Sequence, residues 1–231
     1  MTAPGNAPTP TRDEASRTHL RVHEEFLTAN PQALQTAPGS QADVWCHEFL
    51  PQEVWRESAA VHEATHAVLT RLVGMTPTRV ALARSRDEVA GGTYSSTGTA
   101  DAQQFVVVCV GAGPFPAARL QKAGYSHPEL EKCIRQFCAS GDLANAQSYV
   151  TSGYVADIDQ AIRDSIRLLA DPSAERAVDA LTRALLAAES LGEGEIAAIL
   201  DPHSLTHDRA GVWVPRRRLP IVAAISPSRA L

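Results

Sequence analysis

The stretch Val61-His62-Glu63-Ala64-Thr65-His66-Ala67-Val68 decides how this chain is read. Residues four apart on an α-helix share one face about one turn apart, so His62 and His66 can direct their imidazoles at a single metal ion. Glu63 then projects beside that ion. A carboxylate in that place can take a proton from a metal-activated water, the arrangement of a zinc-dependent hydrolase. An amphipathic helix with two surface histidines would show the same spacing without the chemistry.

The flanks predict a helix. Between Gln52 and Val73 there is no Pro or Gly, and Ala59, Ala60, Ala64, Ala67, Val68 and Leu72 supply helix formers and an apolar face. Gly74 and Pro77 then mark the exit. Downstream, Thr78 to Ala83 reads as a strand with Val80 and Leu82 on one side, and Arg84 to Val89 as a charged turn. Gly91 to Gly98, GGTYSSTG, is small and polar, and Thr93 to Ser96 reads as a short edge strand. Such an edge either holds an extended peptide through main-chain hydrogen bonds or is an ordinary hairpin arm.

From Ala100 the pattern is helical. Ala102 to Val110 is apolar enough to be buried against the His62 helix. Gly111 to Pro116, GAGPFP, interrupts it, and Pro116 to Lys122 can resume. Pro128 to Phe137 reads as a helix, and Leu143 to Val150 as another, with Asp142 beside Gly141 near its start.

Upstream, Met1 to Thr11 and Ala29 to Gln41 are rich in Pro, Thr and Ala, and only Asp13 to Leu27 between them has helical character. His19 and His23 are also four apart, but Leu20, Arg21 and Val22 provide no base, so they read as a surface pair. The expected organisation is a tail over residues 1–42, one domain over 43–200 and an extension over 201–231.

Composition bounds the function. The 231 residues are 44% hydrophobic, which is ample for a buried core. A net charge of −5 and a pI near 5.9 argue against a nucleic-acid binder driven by overall charge, and Arg216, Arg217 and Arg218 read as a solvated basic run. No run of about 18 apolar residues suggests a membrane span, and the opening MTAPGNAPTPTRDEAS lacks a secretory pattern. The expectation is a soluble cytoplasmic protein with no membrane partner. Cys46, Cys109, Cys133 and Cys138 are then expected as reduced thiols, and the Cys133 to Cys138 spacing is not that of a zinc ribbon. Lys122 and Lys132 are the only lysines, and this Arg bias with abundant Ala suggests a GC-rich bacterial genome.

The stretch ESAAVHEATHAVLTRLVGMTPTRVALA resembles the peptidase domain of the FtsH family of zinc proteases, where an HExxHA helix runs into a strand through a short proline-containing turn. The later GDLANA resembles that family's DL-containing segment, and Ile158 to Leu200 is similar to its helical end. The resemblance spans about Glu53 to Leu200. It implies an α+β, mostly helical zincin-like domain with a small sheet and a C-terminal helical bundle. It also implies Asp142 as the third zinc ligand beside His62 and His66, with Glu63 as the catalytic base. From the residues alone, Glu129 and Glu131 stay open as third ligands.

Other patterns fit less well. A metzincin extension needs Gly and His where this chain has Leu69 and Leu72. No GxxxxGK[ST] loop occurs, so the family's ATPase module is not encoded in these residues, and GPFP at Gly113 to Pro116 breaks the family's small-residue helix. The expected activity is ATP-independent, zinc-dependent hydrolysis of flexible or unfolded polypeptides, with a homo-oligomer compatible. The alternatives are a non-catalytic binding or regulatory module that keeps the fold, and a regulator in which Cys46 or His47 occupies the fourth metal position.

Overall fold

Gln52–Leu72 forms a single helix, α1, as its unbroken run of helix formers predicts. Its exit is set by Gly74, whose φ of 83° lies in the left-handed region. The Gly74 N–H donates to the Arg71 carbonyl at 3.1 Å and the Met75 N–H to the Thr70 carbonyl at 2.9 Å, a Schellman closure of the helix end. The chain passes directly into a strand. The computed structural model describes residues 52–82, 92–96, 102–122, 140–151, 158–205 and 224–225.

The elements after α1 are β1 (Thr76–Ala81), β2 (Gly92–Ser96), α2 (Ala102–Gly111), α3 (Pro114–Lys122), α4 (Ser140–Thr151), α5 (Ile158–Leu169) and α6 (Pro172–Ala188). Then come β3 (Ser190–Gly192), α7 (Glu193–Leu200), a 3-10 turn over Asp201–His203, and β4 (Ala224–Ile225). The architecture is α+β and mostly helical, with one antiparallel sheet in the order β3-β1-β2-β4.

Two strand expectations need correcting. The first strand begins at Thr76 instead of Thr78, because the Gly74 turn closes early and Pro77 lies within the strand. An irregularity between Pro77 and Arg79 then resets the register so that Val80 faces the core. The second strand, expected at a free edge, is paired on both sides. Thr93 aligns with Val80 of β1 and with Ile225 of β4, and Tyr94 with Arg79 and Ala224. That pairing joins residues more than a hundred positions apart, which no local pattern can reveal.

α2 is apolar from Phe105 to Val110 and buried along most of its length, as suits a central helix. It packs against α1, α4 and α5, while α1 also lies along α6 and over β1 and β2. Gly111 permits close approach of α2 to both α1 and α5: a Cβ there would fall inside contact distance of Leu69 Cδ1 and 2.6 Å from Ser165 Cβ. α6 is capped by Asp171, whose carboxylate accepts from the Ser173 N–H at 2.7 Å, with Pro172 at the first position. It buries Ala174, Ala177, Val178, Leu181 and Leu185, a helical stripe facing the core.

No helix among the described residues is long and apolar enough to cross a membrane. The expected tail and its short helix, the helix at 128–137, His19, His23, Cys46, His47, Glu129, Glu131, Cys133, Cys138 and Arg216 to Arg218 lie outside the described residues.

Candidate metal centre

α1 and α4 bring three side chains to one point. His62 Nε2 and His66 Nε2 lie 3.1 Å apart, and each is 3.1 Å from Asp142 Oδ2. The one-turn offset of His62 and His66 follows from helix geometry, and the rings meet edge to face. Asp142 arrives by tertiary packing. It lies in the first turn of α4, which Ala146 and the Phe105–Tyr149 ring contact at 4.8 Å hold against α2.

Asp142 is therefore not an N-cap. α4 begins at Ser140, and the Asp142 carboxylate turns inward to the histidines. The helix N-terminus beneath it favours a negative charge. Burial alone would raise its pKa, but the charge of His66 and the hydrogen bonds of both histidines outweigh that and hold it well below the usual carboxylate range. His66 and Asp142 are buried, while the His62 side chain keeps 12% exposure, so the centre reaches solvent on the His62 side.

The residues fit a cation. His66 Nδ1 lies 3.0 Å from the Val108 carbonyl, which can only accept, so that nitrogen carries the proton. Unless a positive charge lies among them, the second ring nitrogen, Nε2, and the Asp142 carboxylate are two lone pairs at hydrogen-bonding distance. A positive charge among the three atoms removes that conflict. Asp142 Oδ1 is also buried with no hydrogen-bond partner among the described residues, a condition that costs about 1–3 kcal/mol when nothing else compensates. His62, His66 and Asp142 could thus hold a metal ion, with all three ligand atoms within 4.8 Å of one another.

Two contributors escaped the sequence. Val108 orients His66 because α2 stops at Gly111, which leaves the carbonyls of its last turn without partners further along the helix. The GPFP break is therefore part of the site's construction. Thr93, on β2, places its Oγ1 2.8 Å from Glu63 Oε2. A residue 30 positions downstream gives no motif to find it by, although a Thr in a strand facing the histidine helix was a searchable position.

Glu63 lies beside the centre but is not among its three converging ligands. It is 4% exposed, and burial pushes its pKa up to about 7, with Asp142 adding to the rise and His62 and the Thr93 hydrogen bond opposing it. Cys109, the buried free thiol on α2, is likewise held protonated by burial and by the Asp142 charge. No protein-family model matches the chain, and no curated protein matches it.

Proposed function

We propose that the chain is a zinc metallopeptidase of zincin-like fold, similar to the FtsH-type peptidase domain, acting without ATP on flexible or unfolded polypeptides. The observation that carries this reading is the meeting of His62, His66 and Asp142 beside a buried Glu63 that is itself hydrogen-bonded. Tetrahedral zinc with ligand bonds of about 2.0–2.1 Å sets its ligand atoms about 3.3 Å apart. The observed separations of 3.1 Å are close to that.

His62, His66 and Asp142 would hold the ion, and Val108 keeps His66 in the ligating tautomer. Bound zinc would supply Lewis acidity toward the scissile carbonyl and acidify the attacking water. Glu63 takes the proton from that water and passes it to the leaving amine. In the metal-free chain burial pushes its pKa up to about 7, which favours proton uptake by this carboxylate close to neutrality. Thr93 holds one carboxylate oxygen, leaving the other for the reacting proton. A non-catalytic module would leave the Glu63–Thr93 pair without a task.

No phosphate-binding loop occurs in the 231 residues, so nothing in them couples nucleotide hydrolysis to substrate unfolding. Substrates that are already extended follow from that.

Glu63→Gln tests the reading. The variant should keep stoichiometric zinc and lose hydrolysis of an unstructured casein-like chain by orders of magnitude, since an amide cannot accept the proton. Hydrolysis at the original rate would remove Glu63 as the base.

A further inference from the structure

The two halves of the candidate centre rest on unequal foundations. His62 and His66 project from α1, which buries Val61, Val68, Leu69 and Leu72 and packs against α2, α6, β1 and β2. His66 is fixed further by the Val108 carbonyl. Asp142 comes from α4, and α4 is held lightly. Among its described side chains only Asp142 and Ala146 are buried, a carboxylate and a methyl group, while Leu143, Tyr149 and Val150 are partly covered. Asp142 is also the one charged residue in SGDLANAQSYVT, and it is the side chain by which α4 bonds to α1. The hydroxyls of Ser148 and Thr151 turn back onto carbonyls of α4 itself. We infer that α4 is a flap stapled shut by the metal ion: the histidine pair on α1 receives the ion, and the ion draws in the Asp142 carboxylate and α4 with it.

Electrostatics and helix physics both lead there. With α4 closed, the Asp142 carboxylate is fully buried, and its Oδ1 has no hydrogen-bond partner among the described residues. Its Oδ2 lies 3.1 Å from His66 Nε2, which in a neutral ring is a lone pair because the proton is held toward Val108. A charge so placed opposes closure unless a cation accompanies it. The apolar contacts of α4 are few against that cost. Nor does the helix sustain itself: it has 12 residues and includes Gly141, Asn145, Ser148, Val150 and Thr151, all weak helix formers. Helices of about that length are marginal in water without tertiary support, so a released α4 gives up its backbone hydrogen bonds as well.

The consequence is a centre that completes itself only when the ion is supplied. The third ligand withdraws with α4, so metal availability sets the fraction of chains with an assembled site, and opening of α4 is the route by which the ion leaves.

This inference rests on the zinc assignment in the peptidase reading, but its test needs no hydrolysis. Amide hydrogen exchange is measured on the full-length chain at pH 8, in excess chelator and with one equivalent of zinc whose binding is followed by calorimetry. The Ala146 to Val150 amides should exchange roughly 10- to 100-fold faster in chelator, the range that one unsatisfied buried polar group corresponds to. They should do so by local opening, at a rate indifferent to dilute urea, while the core amides of α6 stay slow and respond to urea. Equal α4 exchange in the two states, with zinc bound, overturns the inference and leaves the peptidase reading standing. Absence of zinc binding overturns both.

Asp142→Asn separates the charge from the shape. The amide has no charge to bury and can donate to His66 Nε2, so in chelator α4 of this variant should exchange more slowly than α4 of the unsubstituted chain, and zinc should alter it little. An α4 that opens as readily in the variant as in the chelated parent, with α1 and α6 still protected, would show that the carboxylate does not govern the flap and would overturn the inference.

Discussion

Thr93 Oγ1 sits 2.8 Å from Glu63 Oε2 and 3.0 Å from the Glu63 carbonyl oxygen. A hydroxyl has one proton, so it serves one of these acceptors at a time, and either choice ties β2 to the first residue after His62. When the hydroxyl serves the carboxylate, the strand fixes the direction of the Glu63 side chain. Thr93→Val keeps the shape and removes the donor. Turnover should fall roughly 10- to 100-fold, matching the about 1.5–3 kcal/mol of a hydrogen bond to a charged group. KM should change little, zinc content should be unchanged, and Thr93→Ser should restore most of the rate. A variant with normal kcat would show that the hydroxyl only fills space.

The raised pKa of Glu63 makes the metal-free protein sensitive to pH in a defined window. Its ordinary value is 4.5 and its folded value about 7, so between these the folded state holds more protons than the unfolded one. Stability should therefore decline as pH rises from about 4.5 to about 7, by on the order of 3 kcal/mol. Denaturant midpoints of the chelated protein minus those of Glu63→Gln isolate this contribution from the histidines. Asp142 acts in the opposite sense and in another window, since its folded pKa is depressed and its contribution fades only as pH falls below about 3.8. Bound zinc, as a nearby positive charge, should flatten the Glu63 slope. A difference curve flat in the metal-free protein would contradict the burial of an ionisable Glu63.

Zinc should bind once per chain and stabilise the fold by linkage. At a free concentration of 100 times Kd the gain is about 2.7 kcal/mol, seen as a rise in Tm that chelators reverse. His62→Ala, His66→Ala and Asp142→Ala should each weaken retention by at least about tenfold, because two ligands hold the ion poorly. Stoichiometric zinc retained by Asp142→Ala under dilute conditions would take the third-ligand role from that residue.

Gly111 links core packing to the centre. In Gly111→Ala the new methyl meets Leu69 and Ser165, and α2 must shift or strain at a cost of about 1–3 kcal/mol. Because α2 also carries the Val108 carbonyl that orients His66, zinc affinity should fall with stability. Thermal melts with and without zinc measure both effects. A loss of stability with zinc affinity intact would separate the helix crossing from the metal centre.

The sequence by itself determined the histidine helix. His62, Glu63 and His66 are related by local geometry, and a run without Pro or Gly closed by Gly74 leaves few alternatives to a helix from Gln52 to Leu72. The buried character of α2 and the start of a helix near Asp142 were legible for the same reason, since apolar density and turn residues act over a few positions. What only the tertiary structure decided were the relationships between distant segments. Asp142 reaches the histidines because α4 packs on α2, Val108 orients His66 because α2 ends where it does, and Thr93 meets both Glu63 and β4 because strands pair across more than a hundred residues. Such contacts are selected by the packing of whole elements against one core, so spacing and periodicity alone do not pick out the residues that make them.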